Sequence, residues 1–254
     1  MQLTSTTVDV PTPDGAADSI LVHPAEGRHP AVLVFMDAFG PRPRLEEMAG
    51  RIAAQGYVVL VPHLFFRQGR APLIDLGQLA DPAARGRMFE RIGPWMRELT
   101  PERAMADADA YLDFLSGLPS VTEGPVATVG YCMGGALALR AAAHRPEQVV
   151  AAAAFHPARL ATDAPDSPHL LADRIRAEVY VASADQDASM PPEQQDALDR
   201  ALTEAGVEHV CEQYDGAPHG FTMSDTAAYD EAATDRHWDA LLGLLARALP
   251  SHPA

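Results

Sequence analysis

The segment Val126-Ala-Thr-Val-Gly-Tyr-Cys-Met-Gly-Gly-Ala-Leu-Ala138 constrains the fold more than any other part of the chain. A β-branched run leads into a glycine-punctuated turn. Small apolar residues then follow through His144, which specifies a strand, a tight turn and a helix lying close on a sheet. Gly130 and Gly134 stand two residues before and two after Cys132, the Gly-x-Ser-x-Gly spacing of a nucleophile elbow with cysteine in the serine position. The glycines have a steric cause: in so sharp a turn a Cβ at either place strikes the strand or the helix. Gly135 and Ala136 let the helix approach the sheet. Competing glycine-rich loops fail on spacing, because a dinucleotide loop needs Gly-x-Gly-x-x-Gly and a phosphate loop needs Gly-Lys-Ser/Thr. A thiol at the start of a helix gains from exposed N–H groups and from the dipole, which favour a thiolate, and the N–H of Met133 is placed to face an oxyanion.

Around this segment, short β-branched runs alternate with amphipathic stretches, the pattern of a mostly parallel sheet covered by helices on both faces. Strands are expected at residues 31–35, 57–61, 126–129, 149–155, 178–182 and 209–213. Residues 6–10 and 19–22 form an antiparallel start around the turn at Pro11-Thr-Pro-Asp-Gly15. Helices are expected at 44–55, 102–118, 134–144, 192–206 and 228–249, with Thr100-Pro101 as N-cap and N1 of the second. Residues 65–99, rich in Arg, Pro and Gly, read as loops and short helices, a partial lid over a pocket. No boundary divides residues 1–254, which read as a single α/β domain.

Composition narrows the function classes. Hydrophobic residues make up 47% of the chain and are spread along it, so a packed core rather than disorder is expected. No apolar run approaches the roughly 20 residues of a membrane span. The opening Met1-Gln-Leu-Thr-Ser-Thr-Thr has no basic region followed by an apolar one, so no signal peptide is read and a cytoplasmic location is expected. A formal charge of −16 argues against nucleic acid and anionic membranes as partners. Of the two cysteines, Cys211 lies in the alternating run His209-Val-Cys-Glu-Gln-Tyr214 and reads as a small buried residue. No disulfide is needed in a cytoplasmic chain of this size.

The elbow predicts the chain order nucleophile, acid, histidine. An acid is expected after a late strand, in Ser183-Ala-Asp-Gln-Asp-Ala-Ser-Met-Pro191, where Asp185 and Asp187 both qualify. The histidine is His219, in the loop Tyr214-Asp-Gly-Ala-Pro-His219-Gly-Phe-Thr222 after the last strand, placed to take the thiol proton and later to activate water. The acid fixes its tautomer and stabilises imidazolium. His63 and His156 also follow strands and read as structural.

Taken together, Gly130-Tyr-Cys-Met-Gly-Gly135, Asp187 four residues before Pro191, and His219-Gly-Phe221 resemble the dienelactone hydrolases (carboxymethylenebutenolidases) of the α/β-hydrolase fold. Phe35-Met-Asp-Ala-Phe-Gly40 and Val61-Pro-His-Leu-Phe-Phe-Arg67 resemble further stretches of that family, and the likeness runs from about residue 30 to about residue 245. The resemblance implies a Cys132–His219–Asp187 triad, favouring Asp187 over Asp185, with the N–H groups of Ala38 and Met133 as oxyanion hole. It implies Phe39 and Phe221 at the substrate pocket, and no cofactor or metal.

Two departures stand out. The family glutamate that holds the thiol proton is Asp37 here, one methylene shorter. The family arginine that grips the substrate carboxylate four residues after the histidine is Met223, which leaves Arg67, Arg85 or Arg87 to supply a clamp from elsewhere. The expectation is therefore hydrolysis of a small-molecule ester or lactone through a thioacyl-enzyme, by a monomer or homodimer. The alternatives are a thioesterase or acyl-transfer enzyme, and a non-catalytic binding or redox protein with a reactive Cys132.

Overall fold

A computed structural model describes residues 1–77 and 82–251. An eight-stranded sheet runs in the order β1-β2-β4-β3-β5-β6-β7-β8. The first two strands, β1 (Leu3–Thr12) and β2 (Gly15–Pro24), form an antiparallel hairpin, and β2 pairs antiparallel with β4 (Val58–Val61). From there the sheet is parallel through β3 (His29–Phe35), β5 (Val121–Tyr131), β6 (Val149–Phe155), β7 (Glu178–Ala184) and β8 (His209–Tyr214). This is the α/β-hydrolase fold expected of the sequence. Every residue of β3 is buried and so is nearly all of β6, as strands covered on both faces require.

The helices are α1 (Pro43–Ala53), α2 (Pro82–Glu98), α3 (Pro101–Gly117), α4 (Met133–His144), α5 (Pro192–Glu204) and α6 (Glu231–Ala248). The Thr100 side chain accepts from Arg103 N at the start of α3, and Asp230 accepts from Ala233 N at 2.8 Å at the start of α6. Among the described residues no helix is long and apolar enough to cross a membrane.

The clearest difference from the sequence expectation is α2, a helix of 17 residues in a stretch read as loops and short helices. Ala84, Met88 and Ile92 recur every fourth residue and all are buried, so tertiary packing holds one face of the helix against the body. Its four arginines, two glycines and the interior Pro94 hide that stripe from a propensity reading. β5 also begins five residues earlier than expected, at Val121, as a ragged extension beyond a register shift.

Close approach at the β5–α4 junction is what positions Cys132. A Cβ on Gly130 would sit 2.0 Å from Gly134 O, one on Gly134 would sit 2.4 Å from Phe35 O, and one on Gly135 would sit 2.8 Å from Pro157 Cβ. The first two of these contacts are with backbone, which cannot move aside. Gly130→Ala is therefore expected to cost more than about 3 kcal/mol of stability in urea denaturation. Gly86→Ala, with open space around its Cβ inside α2, is expected to gain roughly 0.5–1 kcal/mol.

Candidate active site

Cys132 sits between the end of β5 and the first residue of α4 with φ 55° and ψ −120°, a backbone conformation that side chains rarely adopt. It is held there by Cys132 N donating to Phe155 O at 3.2 Å and by Gly135 N donating to Cys132 O at 3.1 Å. The side chain stands at the carboxyl end of the parallel strands, where α/β sheets form their crevices.

Two later loops reach the same crevice. The loop after β7 carries Asp187 and the loop after β8 carries His219, whose Nδ1 donates to Asp187 Oδ2 at 2.6 Å. Asp187 Oδ1 accepts from both Ser189 N at 2.9 Å and Ser189 Oγ at 2.6 Å, so the carboxylate is fixed on both oxygens. Burial acts to raise Asp187, but the bonds from His219 and Ser189 outweigh it and leave its carboxyl below the usual range. Burial likewise acts to lower His219, but hydrogen bonds to Asp187 and Cys132, with the charges of both, push it up to about 10. With Nδ1 committed to Asp187, Nε2 is the ring nitrogen left for another partner.

Asp185, the other acid left open by spacing, points elsewhere. It accepts from Gly216 N at 3.0 Å and from Gln213 Nε2 at 3.1 Å, bracing the turn after β8. Ser189 was not singled out from the sequence; the Asp-x-Ser spacing that lets a hydroxyl fold back on a carboxylate is a weak signal. At Cys211, burial and the charge of Asp199 push the thiol up to about 12.

Cys132 and His219 share a cavity of about 270 Å³. Its walls include Phe39, Phe89 and Met223, and the rings of Phe39 and Phe89 meet at 6.0 Å. Phe221, expected at the pocket, lies instead in the core, stacked on Tyr214 at 5.2 Å and edge-on to His156 at 5.0 Å. His156 forms the floor. It is fully buried with φ 39°, bonds Thr222 Oγ1 through Nε2 at 2.8 Å, and lies edge-on to His219. Burial, and then the neighbouring His219 and His237, hold it far below the usual histidine range, so it stays neutral. His63 is structural, pairing with Asp18 at 2.9 Å.

Asp37 borders the cavity and is held in an ion pair with Arg42. Arg42 donates to its Oδ1 at 2.7 Å and to its Oδ2 at 2.8 Å, and Phe39 N adds a third bond at 3.0 Å. Arg42 also reaches Asp225 Oδ2 at 2.6 Å and Met223 Sδ at 3.3 Å, so its guanidinium lies against the methionine at the family's arginine position. The clamp arginines considered from the sequence lie elsewhere. Arg67 is tied to Asp107 through two bonds, Arg87 is exposed on α2, and the side chain of Arg85 lies outside the described residues. A more open cleft of about 640 Å³ lies on the other side of Arg42, lined in part by residues 72–77, and contains none of Cys132, Asp187 and His219.

The dienelactone hydrolase family model matches residues 17–249. The chain belongs to the dienelactone hydrolase family. A Synechocystis protein provisionally named a carboxymethylenebutenolidase is 28% identical over 240 residues, covering 92% of this chain and 94% of that one. A carboxymethylenebutenolidase of Pseudomonas sp. strain P51 is 36% identical over 120 residues, 47% of each chain. Among solved structures, a protein of Klebsiella pneumoniae provisionally named a dienelactone hydrolase superposes with a TM-score of 0.82 at 23% identity, covering 97% of this chain and all of that one; it speaks to the fold. This dienelactone hydrolase family member is accordingly a hydrolase.

The two pKa shifts set a window for the Asp187–His219 pair. A lowered aspartate stabilises the fold above its ordinary pKa of about 3.9 and loses that contribution as pH falls. A raised histidine stabilises fully below its ordinary pKa of about 6.5 and loses it as pH climbs; here the loss is complete once pH passes about 10. The Tm difference between wild type and Asp187→Asn is expected to be greatest at about pH 5–6 and to shrink towards pH 10.

Proposed function

We propose that this enzyme hydrolyses a small, uncharged ester or lactone by covalent catalysis at Cys132. The observation that carries the proposal is that His219, bonded to Asp187, lines one largely apolar cavity together with Cys132. His219 Nε2 takes the thiol proton, and the sulfur attacks the carbonyl carbon to form a tetrahedral oxyanion. The N–H groups of Ala38 and Met133 receive that oxygen. Among the described residues neither donates to another protein acceptor, so both are available. Collapse of the intermediate expels the alcohol, which takes the proton from His219 and leaves a thioacyl-enzyme. His219 then removes a proton from water, hydroxide attacks the thioester, and the acid departs as the thiol is restored. Asp187 holds the ring in one tautomer and stabilises its charged form throughout.

The cavity supports an uncharged substrate. Among its described lining residues there is no lysine or arginine, and its one acidic group, Asp37, is neutralised by Arg42. Arg42 has no donors to spare for a ligand carboxylate, since Asp37, Asp225 and Gly40 O occupy them. A volume of about 270 Å³ suits a short acyl group with a small alcohol or a compact ring. Phe89 brings α2 to the cavity, which supports the reading of this segment as a partial cover.

Cys132→Ala is expected to abolish cleavage of p-nitrophenyl acetate with the fold intact by circular dichroism; wild-type turnover in that variant would end the proposal. In a paired assay, a neutral lactone is expected to exceed its carboxylate-bearing counterpart in kcat/KM by about tenfold or more, the scale of one missing charged hydrogen bond.

A further inference from the structure

A second group of reactive side chains lies away from the crevice, toward the amino-terminal half of β8. β8 is the edge strand of the sheet, paired with β7 alone. His209 and Cys211 are two residues apart on it, so the pleat turns both side chains to one face. Helix α5 lays Asp199 over that face. One ligand atom from each of the three lies within 4.8 Å of the other two, the one such group among the described residues.

The details are those of a metal site. His209 Nδ1 lies 2.8 Å from Val207 O and donates to it, which fixes the ring and leaves Nε2 as the coordinating nitrogen. Nε2 is 3.2 Å from Asp199 Oδ1. Bonds of about 2.0–2.3 Å to a tetrahedral ion put its ligands roughly 3.3–3.8 Å apart, so these two atoms already stand near the required separation. The exposed Asp199 has freedom to adjust, and a cavity of about 230 Å³ bordered by Asp199 and Cys211 leaves room for the ion and a water.

We propose that Asp199, His209 and Cys211 bind a thiophilic divalent cation such as zinc, with solvent in the fourth position. Carboxylate, imidazole and thiolate suit zinc, and a thiolate disfavours magnesium and calcium. Binding sends the thiol proton, and any proton between Nε2 and Asp199, to solvent as sulfur, nitrogen and oxygen bond to the ion. The ion cross-links α5 to the unpaired edge of the sheet and stabilises the fold by linkage.

The test uses Co²⁺ and Zn²⁺ on a Cys132→Ser background, so that the crevice thiol contributes nothing. One equivalent of Co²⁺ is expected to give the d–d bands of a tetrahedral site and a thiolate-to-cobalt charge-transfer band. Zn²⁺ is expected to displace it and to raise Tm. Adding Cys211→Ser removes the charge-transfer band, and adding His209→Gln weakens zinc binding more than about 100-fold by calorimetry. Should Cys211→Ser not fold, His209→Gln and Asp199→Asn, both near the surface, decide the question in its place. No thiolate band at stoichiometric cobalt, a band that survives Cys211→Ser, or zinc affinity unchanged by His209→Gln would each overturn the proposal.

Discussion

The active crevice depends on a place where backbone meets backbone with no side chain between. At Gly130 and Gly134 the ends of β3 and β5 and the first turn of α4 approach so closely that a single methyl group would overlap a carbonyl oxygen. That contact forces Cys132 into its positive-φ conformation and lifts the thiol clear of the sheet, beside the free N–H of Met133. The strain is local and is held by the buried strands on either side, β3 and β6. Cys132, the N–H of Met133 and the start of α4 thus come from one segment of chain, while His219 and Asp187 are brought in from later loops.

Charge around this crevice is held in internal ion pairs. Arg42 sits beside the methionine that takes the family's arginine position, yet its guanidinium is committed to Asp37 and Asp225. Burial would lower the arginine, but the two carboxylates outweigh it and hold it protonated. The pair closes one side of the cavity, separating it from the larger cleft beyond. His219 faces the same cavity as Cys132 and rests edge-on against a neutral His156.

Where sequence reasoning fell short, the residues show why. α2 was hidden because arginine, glycine and proline dominate its composition while only one residue in four packs inward. Phe221 was expected at the pocket, but the turn at Gly220, with φ 94°, sends it into the core between Tyr214 and His156. Arg42 and Ser189 carry no motif. One lies in the loop before a helix and the other in a turn, and each matters through a partner set by the fold. The same holds for Asp199, which no spacing rule connects to His209 and Cys211.

The sequence by itself determined the alternating architecture, the glycine-framed turn around Cys132, and the order in which that turn, the acidic loop and His219 follow along the chain. These are written in short-range patterns: hydrophobic period, glycine spacing, and loop residues directly after strands. Only the tertiary structure showed which of Asp185 and Asp187 meets His219, because two carboxylates in one short loop differ in the direction they face, not in their chemistry. It alone gave Asp37 to Arg42, put Phe89 across from Phe39, and brought α5 over the edge strand. Such pairings join residues from separate elements, and their distances are set by how a sheet and its helices pack, which no local pattern records.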